Sequence, residues 1–157
     1  MIFKSRDIAY FFGLDGTIFG LGCDYLKSPL RFIKNGPIFN PNQWDIRWSL
    51  ICGRPRKDRF FIKTACCVWG IRPVNIITYR WFFKRLVNTR EILDFKIEYM
   101  KSVLTGKYGD DFSGVKKVFY IDSSLDSVCY VNSNRQRFPL MSITVKDFVE
   151  EKFNMFL

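Results

Sequence analysis

The sequence predicts a three-layer α/β domain with a five-stranded, mostly parallel sheet. Three observations predict it. Strand-like and helix-like segments alternate along the chain, the pattern of a parallel sheet with helices packed on it. The chain has 157 residues, enough for one real core but short for two domains, so a single domain over 1–157 is expected. Hydrophobic residues make up 48% and aromatics 18%, which argues against disorder.

The elements follow in order. Ile8 to Phe12 reads as the first strand and runs into the turn Asp15-Gly16-Thr17. The stretch Phe19 to Asp45 is irregular and holds Gly20, Gly22, Pro29, Gly36, Pro37 and Pro41. Arg47 to Cys52 is the second strand, ending in Gly53-Arg54-Pro55. A helix is expected over Lys57 to Trp69, with Phe60, Phe61, Thr64, Cys67 and Val68 at helical spacing and Gly70 as its stop. Val74 to Tyr79 is the third strand. Ile92 to Leu104 follows as a helix, with Ile92, Phe95, Tyr99 and Val103 on one face and Gly106 after it. Lys117 to Ile121, Leu125 to Val131, Leu140 to Ile143 and Val145 to Phe153 complete the pattern as strand, short helix, short strand and closing helix.

Composition removes several kinds of chemistry. The chain contains no histidine, which excludes Ser-His-Asp and Cys-His catalysis. Its five cysteines (Cys23, Cys52, Cys66, Cys67 and Cys129) are odd in number and form no CxxC pair, so a zinc site is disfavoured and reduced thiols are expected. No apolar run reaches the roughly 18 residues that a membrane span needs. The first residues lack the apolar core of a signal peptide, so a cytoplasmic protein is expected. The net charge is +10, from 25 Lys and Arg against 15 Asp and Glu. Such a surface attracts polyanions, and the plainer alternative is general solubility.

Three segments carry candidate chemistry: Phe11-Phe12-Gly13-Leu14-Asp15-Gly16-Thr17-Ile18, Ser49-Leu50-Ile51-Cys52-Gly53-Arg54-Pro55 and Val118-Phe119-Tyr120-Ile121-Asp122-Ser123-Ser124-Leu125-Asp126. Together they resemble motifs I, II and IV of the haloacid dehalogenase (HAD) superfamily, in the expected order and across nearly the whole chain. Motif I of that family is a strand followed by DxDGT, in which the first Asp is the phosphoryl-accepting nucleophile and the second the general acid/base. Here Gly13 stands at the nucleophile position, while Asp15, Gly16 and Thr17 match. In motif II, Cys52 stands where a phosphate-binding Ser or Thr is common, before Gly53 and Arg54. For motif III the resemblance implies a lysine, for which Lys96 is chosen, with Lys101 and Lys107 as alternatives. For motif IV it implies Asp122 and Asp126 as ligands of Mg²⁺, with Ser123 replacing the second acid of the DD form. The resemblance also implies a short flap or minimal cap over 19–45.

Without a carboxylate at position 13 no aspartyl-phosphate forms, and metal binding is expected to be weak or absent. The leading expectation is a degenerate HAD-like protein that binds a phosphorylated ligand, a nucleotide or nucleic-acid end, with little or no phosphatase activity. Asp15, Thr17, Cys52, Arg54, Lys96 and Asp122 would line its cleft. One alternative is an active Mg²⁺-dependent phosphatase on nucleotides or nucleic-acid termini. Another is a basic partner- or nucleic-acid-binding protein that does not use the cleft. In a different doubly wound domain, Asp15 and Asp122 would instead cap the following helices. The cationic run Arg54 to Arg59 is either an anion-binding edge or a solvated helix start. Tyr79-Arg80-Trp81-Phe82-Phe83-Lys84-Arg85 interleaves rings and cations, as nucleic-acid stacking requires. The favoured reading packs Trp81 and Phe82 into the core instead.

Overall fold

The computed structural model describes residues 7–20, 28–84, 86, 88–108 and 111–154. Its strands are β1 (Ile8–Gly13), β2 (Trp48–Pro55), β3 (Ile76–Tyr79), β4 (Lys117–Asp122) and β5 (Leu140–Thr144). Its helices are α1 (Leu30–Asn35), α2 (Arg59–Val68), α3 (Thr89–Leu104), α4 (Leu125–Asn134) and α5 (Val145–Asn154). The sheet order is β3-β2-β1-β4-β5, and every neighbouring pair is parallel. The expected mostly parallel sheet is therefore wholly parallel, and α/β architecture is shown.

Parallel strands covered on both faces are apolar along their length. All eight residues of β2 are buried. Alternation sends neighbouring side chains to opposite faces. Ala9 and Phe11 pack with Ile97, Met100 and Val131 of α3 and α4, whereas Phe12 packs with Phe32, Ile62 and Phe148 of α1, α2 and α5. The sheet is thus the middle of three layers. Several rings meet at Phe148, whose ring centroid lies 5.5 Å from Phe12, 5.3 Å from Trp44 and 5.9 Å from Tyr10, all edge-on. The ring quadrupole favours that geometry.

Several expectations are corrected. β2 runs on past Cys52 through Gly53 and Arg54 and ends at Pro55, as expected, with a register irregularity between Ile51 and Pro55. The core face of α2 is Ile62, Ala65 and Cys66; Phe60, 71% exposed, and Val68 point outward. The indole N–H of Trp69 donates to the Phe32 and Ile33 carbonyls of α1, at 3.0 and 3.1 Å, and so fixes the rotation of α2. Gly70 ends α2 as expected: at φ +67° it allows the Gly70 and Ile71 N–H groups to donate to the Cys67 and Cys66 carbonyls. Trp81 and Phe82, expected in the core, are 54% and 53% exposed. β3 stops at Tyr79, and the chain runs outside the start of α2, its Trp81 and Phe82 carbonyls accepting from the Arg56 and Lys57 N–H groups. The flap or minimal cap expected over 19–45 falls partly on residues 21–27, which lie outside the described residues; the described part forms no strand hairpin. That segment holds α1, a short 3-10 turn (Pro41–Gln43) and one antiparallel bridge between Phe19 and Pro37.

Gly53 has a packing role. A Cβ there would meet Ile92 Cγ1 of α3 at 2.6 Å and Ile92 Cγ2 at 2.9 Å. Gly53→Ala is expected to destabilise by about 1–3 kcal/mol in urea unfolding, through overpacking. In Gly53→Ala/Ile92→Ala the loss should be smaller than the sum of the single losses. An unchanged midpoint for Gly53→Ala would contradict this packing.

Candidate functional site

Strand order reverses between β1 and β4, and open α/β sheets place their ligand crevices beyond the strand ends at such a point. The loop after β1 and the loop after β4 meet there. They bring together most of the residues singled out from the sequence, in two buried polar clusters.

The first cluster lies on the α1 side. Arg54, 1% exposed, donates from Nε to Asp15 Oδ2 at 2.8 Å and from Nη2 to Asp15 Oδ1 at 2.7 Å. Its Nη1 donates to Asp58 Oδ2 at 3.3 Å. Arg31 of α1 approaches Asp15 Oδ1 to 3.6 Å. The Phe32 ring lies beneath both guanidiniums, with centroids 5.0 Å from Arg54 and 5.6 Å from Arg31. Burial opposes the Arg54 charge, but the hydrogen bonds and charge of Asp15, with help from Asp58, outweigh it and hold the guanidinium above its ordinary range. Arg54 is thus engaged inside the fold and does not stand on an anion-binding edge. Asp15 caps none of the described helices: it sits in a turn and forms a bridge with Phe19.

The second cluster lies on the α3 side. Lys96 of α3, itself buried, donates from Nζ to the Tyr120 hydroxyl at 2.9 Å. The Tyr120 hydroxyl donates in turn to Asp122 Oδ2. Asp122 Oδ1 accepts from the Ser124 N–H at 3.0 Å and the Thr17 hydroxyl at 3.4 Å. Thr17 Oγ1 also accepts from the Ser123 N–H at 3.2 Å, tying the two loops together. The cap of α4 is Ser124, whose side chain accepts from Ser127, so Asp122 supports the cap from outside. A Cβ on Gly13 would lie 3.1 Å from Asp122 Oδ2, 3.3 Å from the Tyr120 hydroxyl and 3.3 Å from Thr17 Oγ1. A side chain at position 13 would therefore crowd Asp122, the Tyr120 hydroxyl and Thr17 together.

Cys52 lies between the clusters. Burial, then the negative charge of Asp15, pushes its thiol up to about 12; the Arg54 backbone N–H and the charges of Lys96 and Arg54 oppose the shift. The loop after β1 uses its own amides. Gly16 N–H donates to the Phe19 carbonyl at 2.8 Å, and the Thr17, Ile18 and Phe19 N–H groups all donate to the Leu14 carbonyl. Gly16, at φ +76°, permits this tight turn.

Asp126 sits apart, exposed in the first turn of α4. Lys101 and Lys107 likewise lie outside the clusters: Lys101 donates to Gln136 Oε1, and Lys107 is exposed beyond α3. The donor set does not fit Mg²⁺. Position 13 supplies no carboxylate, Asp126 is exposed whereas Asp122 is buried, and both Asp122 oxygens already accept protein hydrogen bonds. Among the described residues no three Asp, Glu, Cys or His side chains converge. No helix of the described residues is long and apolar enough to cross a membrane.

Arg31, Asp58 and Tyr120 belong to the site but were not singled out from the sequence. Tyr120 had a signal: it lies two residues before Asp122 on a strand, hence on the same face. Arg31 had none, since only the tertiary path of 19–45 carries it to Asp15. No protein-family model, curated protein or solved structure matches the chain. The likeness to the HAD superfamily rests on the order of the three segments in the sequence alone.

The clusters set an alkaline limit and a thiol pattern. Cys52 and Cys66 are both raised from 9.0 to about 12, chiefly by burial, so each contributes stability present below pH 9 and lost as pH climbs towards 12. Iodoacetamide at pH 8, read by peptide mass spectrometry, is expected to label the exposed Cys67 and Cys129 at least ten times faster than Cys52 and Cys66. Equal rates in the folded protein would contradict the burial of Cys52.

Proposed function

We propose that this chain is a non-catalytic HAD-like protein that recognises a phosphorylated ligand, a nucleotide or nucleic-acid end, without hydrolysing it. One observation supports the loss of catalysis: position 13, where the family's nucleophile would stand, is a glycine hemmed in by Asp122, the Tyr120 hydroxyl and Thr17. Attack on phosphorus needs a nucleophile and donors aimed at the developing charge. Here Lys96 donates to Tyr120, Thr17 donates to Asp122, and the amides of residues 16–19 donate within their own loop. Support for phosphate recognition comes from the +10 charge and from Arg56, Lys57 and Arg59 just beyond the end of β2.

The Gly13 geometry also says what restoration requires. An Asp at 13 would crowd Tyr120 and place its charge beside Asp122, so Gly13→Asp alone is expected to stay inactive. With Mg²⁺ and 3′-phosphorylated oligonucleotides, phosphate release is expected only from Gly13→Asp/Tyr120→Leu. Turnover by the unaltered chain, abolished by Asp122→Ala, would overturn the non-catalytic reading. Fluorescence anisotropy checks the binding half: a 3′-phosphorylated oligonucleotide is expected to bind more tightly than its 3′-hydroxyl counterpart, and equal affinity would count against end recognition.

A further inference from the structure

We infer that the surface formed by Arg80, Trp81, Phe82, Phe83 and Lys84 with Lys57 is a stacking platform for single-stranded nucleic acid, separate from the switch-point clusters. The rings are presented outward: Trp81 is 54%, Phe82 53% and Phe83 74% exposed. Large apolar side chains exposed in series mark an interaction surface more often than single ones do. This series is not a loose loop. Its Trp81 and Phe82 carbonyls accept from the Arg56 and Lys57 N–H groups at 3.3 and 3.4 Å, which pins the main chain against the start of α2. Phe82 and Phe83 meet edge to face with centroids 4.7 Å apart.

Cations accompany the rings. The Arg80 guanidinium lies 5.7 Å from the Trp81 ring centroid and Lys57 Nζ lies 5.7 Å from that of Phe83. Single-strand binding combines these two elements: π-faces on which successive bases stack, and cations that follow the phosphates. Duplex DNA keeps its bases stacked on one another and would leave these rings without partners.

Concavities adjoin the platform. One of about 240 Å³ is lined by Arg56, Arg59, Tyr79, Arg80 and Tyr99. A second, of about 480 Å³, shares Tyr79, Arg80 and Tyr99 and adds Lys84, Asp94 and Glu98. Tyrosines, cations and carboxylates in one concavity offer stacking, phosphate pairing and acceptors for base amino groups. Single-stranded nucleic acid is therefore the occupant that both the charge and the shape favour.

The test uses the full chain and fluorescein-labelled dT20 with a 3′-hydroxyl end, followed by anisotropy across a salt series. Binding is expected, with a 20-base-pair duplex at least ten-fold weaker. Trp81→Ala and Phe83→Ala should each weaken dT20 binding about ten-fold, and Trp81→Phe should recover most of the loss. Arg80→Gln/Lys84→Gln should lower the slope of log K against log salt by about 0.7 for each phosphate that these two cations neutralise. All these positions are exposed, and circular dichroism confirms that each variant is folded. No dT20 binding, binding unchanged by the ring variants, or binding only to phosphatidylserine vesicles would overturn the platform. Both readings draw on Lys57, but the probe has no terminal phosphate, so dT20 binding tests the platform and the 3′-phosphate comparison tests end recognition.

Discussion

A guanidinium with no exposed surface sits between two carboxylates near the middle of this domain, and much of the fold is arranged around it. Taking an unpaired charge out of water costs several kcal/mol, so Arg54 requires partners on all sides. Asp15 supplies a two-point contact from the loop after β1, which matches the planar fork of arginine. Asp58 supplies another from the turn before α2, and Phe32 of α1 lies beneath. One side chain therefore joins β1, β2, α1 and α2. The turn Asp15-Gly16-Thr17 is set partly by this demand: Gly16 takes the positive φ, Thr17 reaches the β4 loop, and Asp15 turns towards β2.

The same need for partners governs the other face. Lys96 and Asp122 are both buried, and the Tyr120 hydroxyl lies between them as acceptor from one and donor to the other. Residues that would form a phosphoryl-transfer centre in the family this chain resembles are here engaged with one another. Gly13 belongs to that arrangement, since a side chain there would press on the Tyr120 hydroxyl that links the two charges and on Asp122 itself. Cations drawn into the interior serve the fold, and the remainder give the surface its excess positive charge. Rings and cations stand together outside β3, so the chemistry open to solvent is that of polyanion binding.

The sheet was legible in the sequence because its strands are covered on both faces and read as short apolar runs between turn residues. The site was legible only in part. Asp15, Thr17, Arg54, Lys96 and Asp122 do come together, since strand ends and loop starts at a switch point are local features. What each one bonds was not legible, because Arg31, Asp58 and Tyr120 arrive from other elements. The face of α2 was misread because its sequence offers two apolar stripes, and the bond from Trp69 to α1 selects between them. Trp81 and Phe82 were misread for a related reason: hydrophobicity favours burial, but β3 is an edge strand of only four residues and the chain leaves it on the outside.

A double-mutant cycle on Asp15 and Arg54, followed by equilibrium urea unfolding, tests the central claim that the polar residues at the switch point are structural. If they are, Asp15→Asn and Arg54→Gln each lower stability by about 3–5 kcal/mol, and the double variant loses clearly less than the sum, because each single change strands a buried charge. Active-site residues behave differently, since their replacement commonly leaves stability unchanged or raises it. An Asp15→Asn variant as stable as the unaltered chain, with no coupling to Arg54→Gln, would contradict the account.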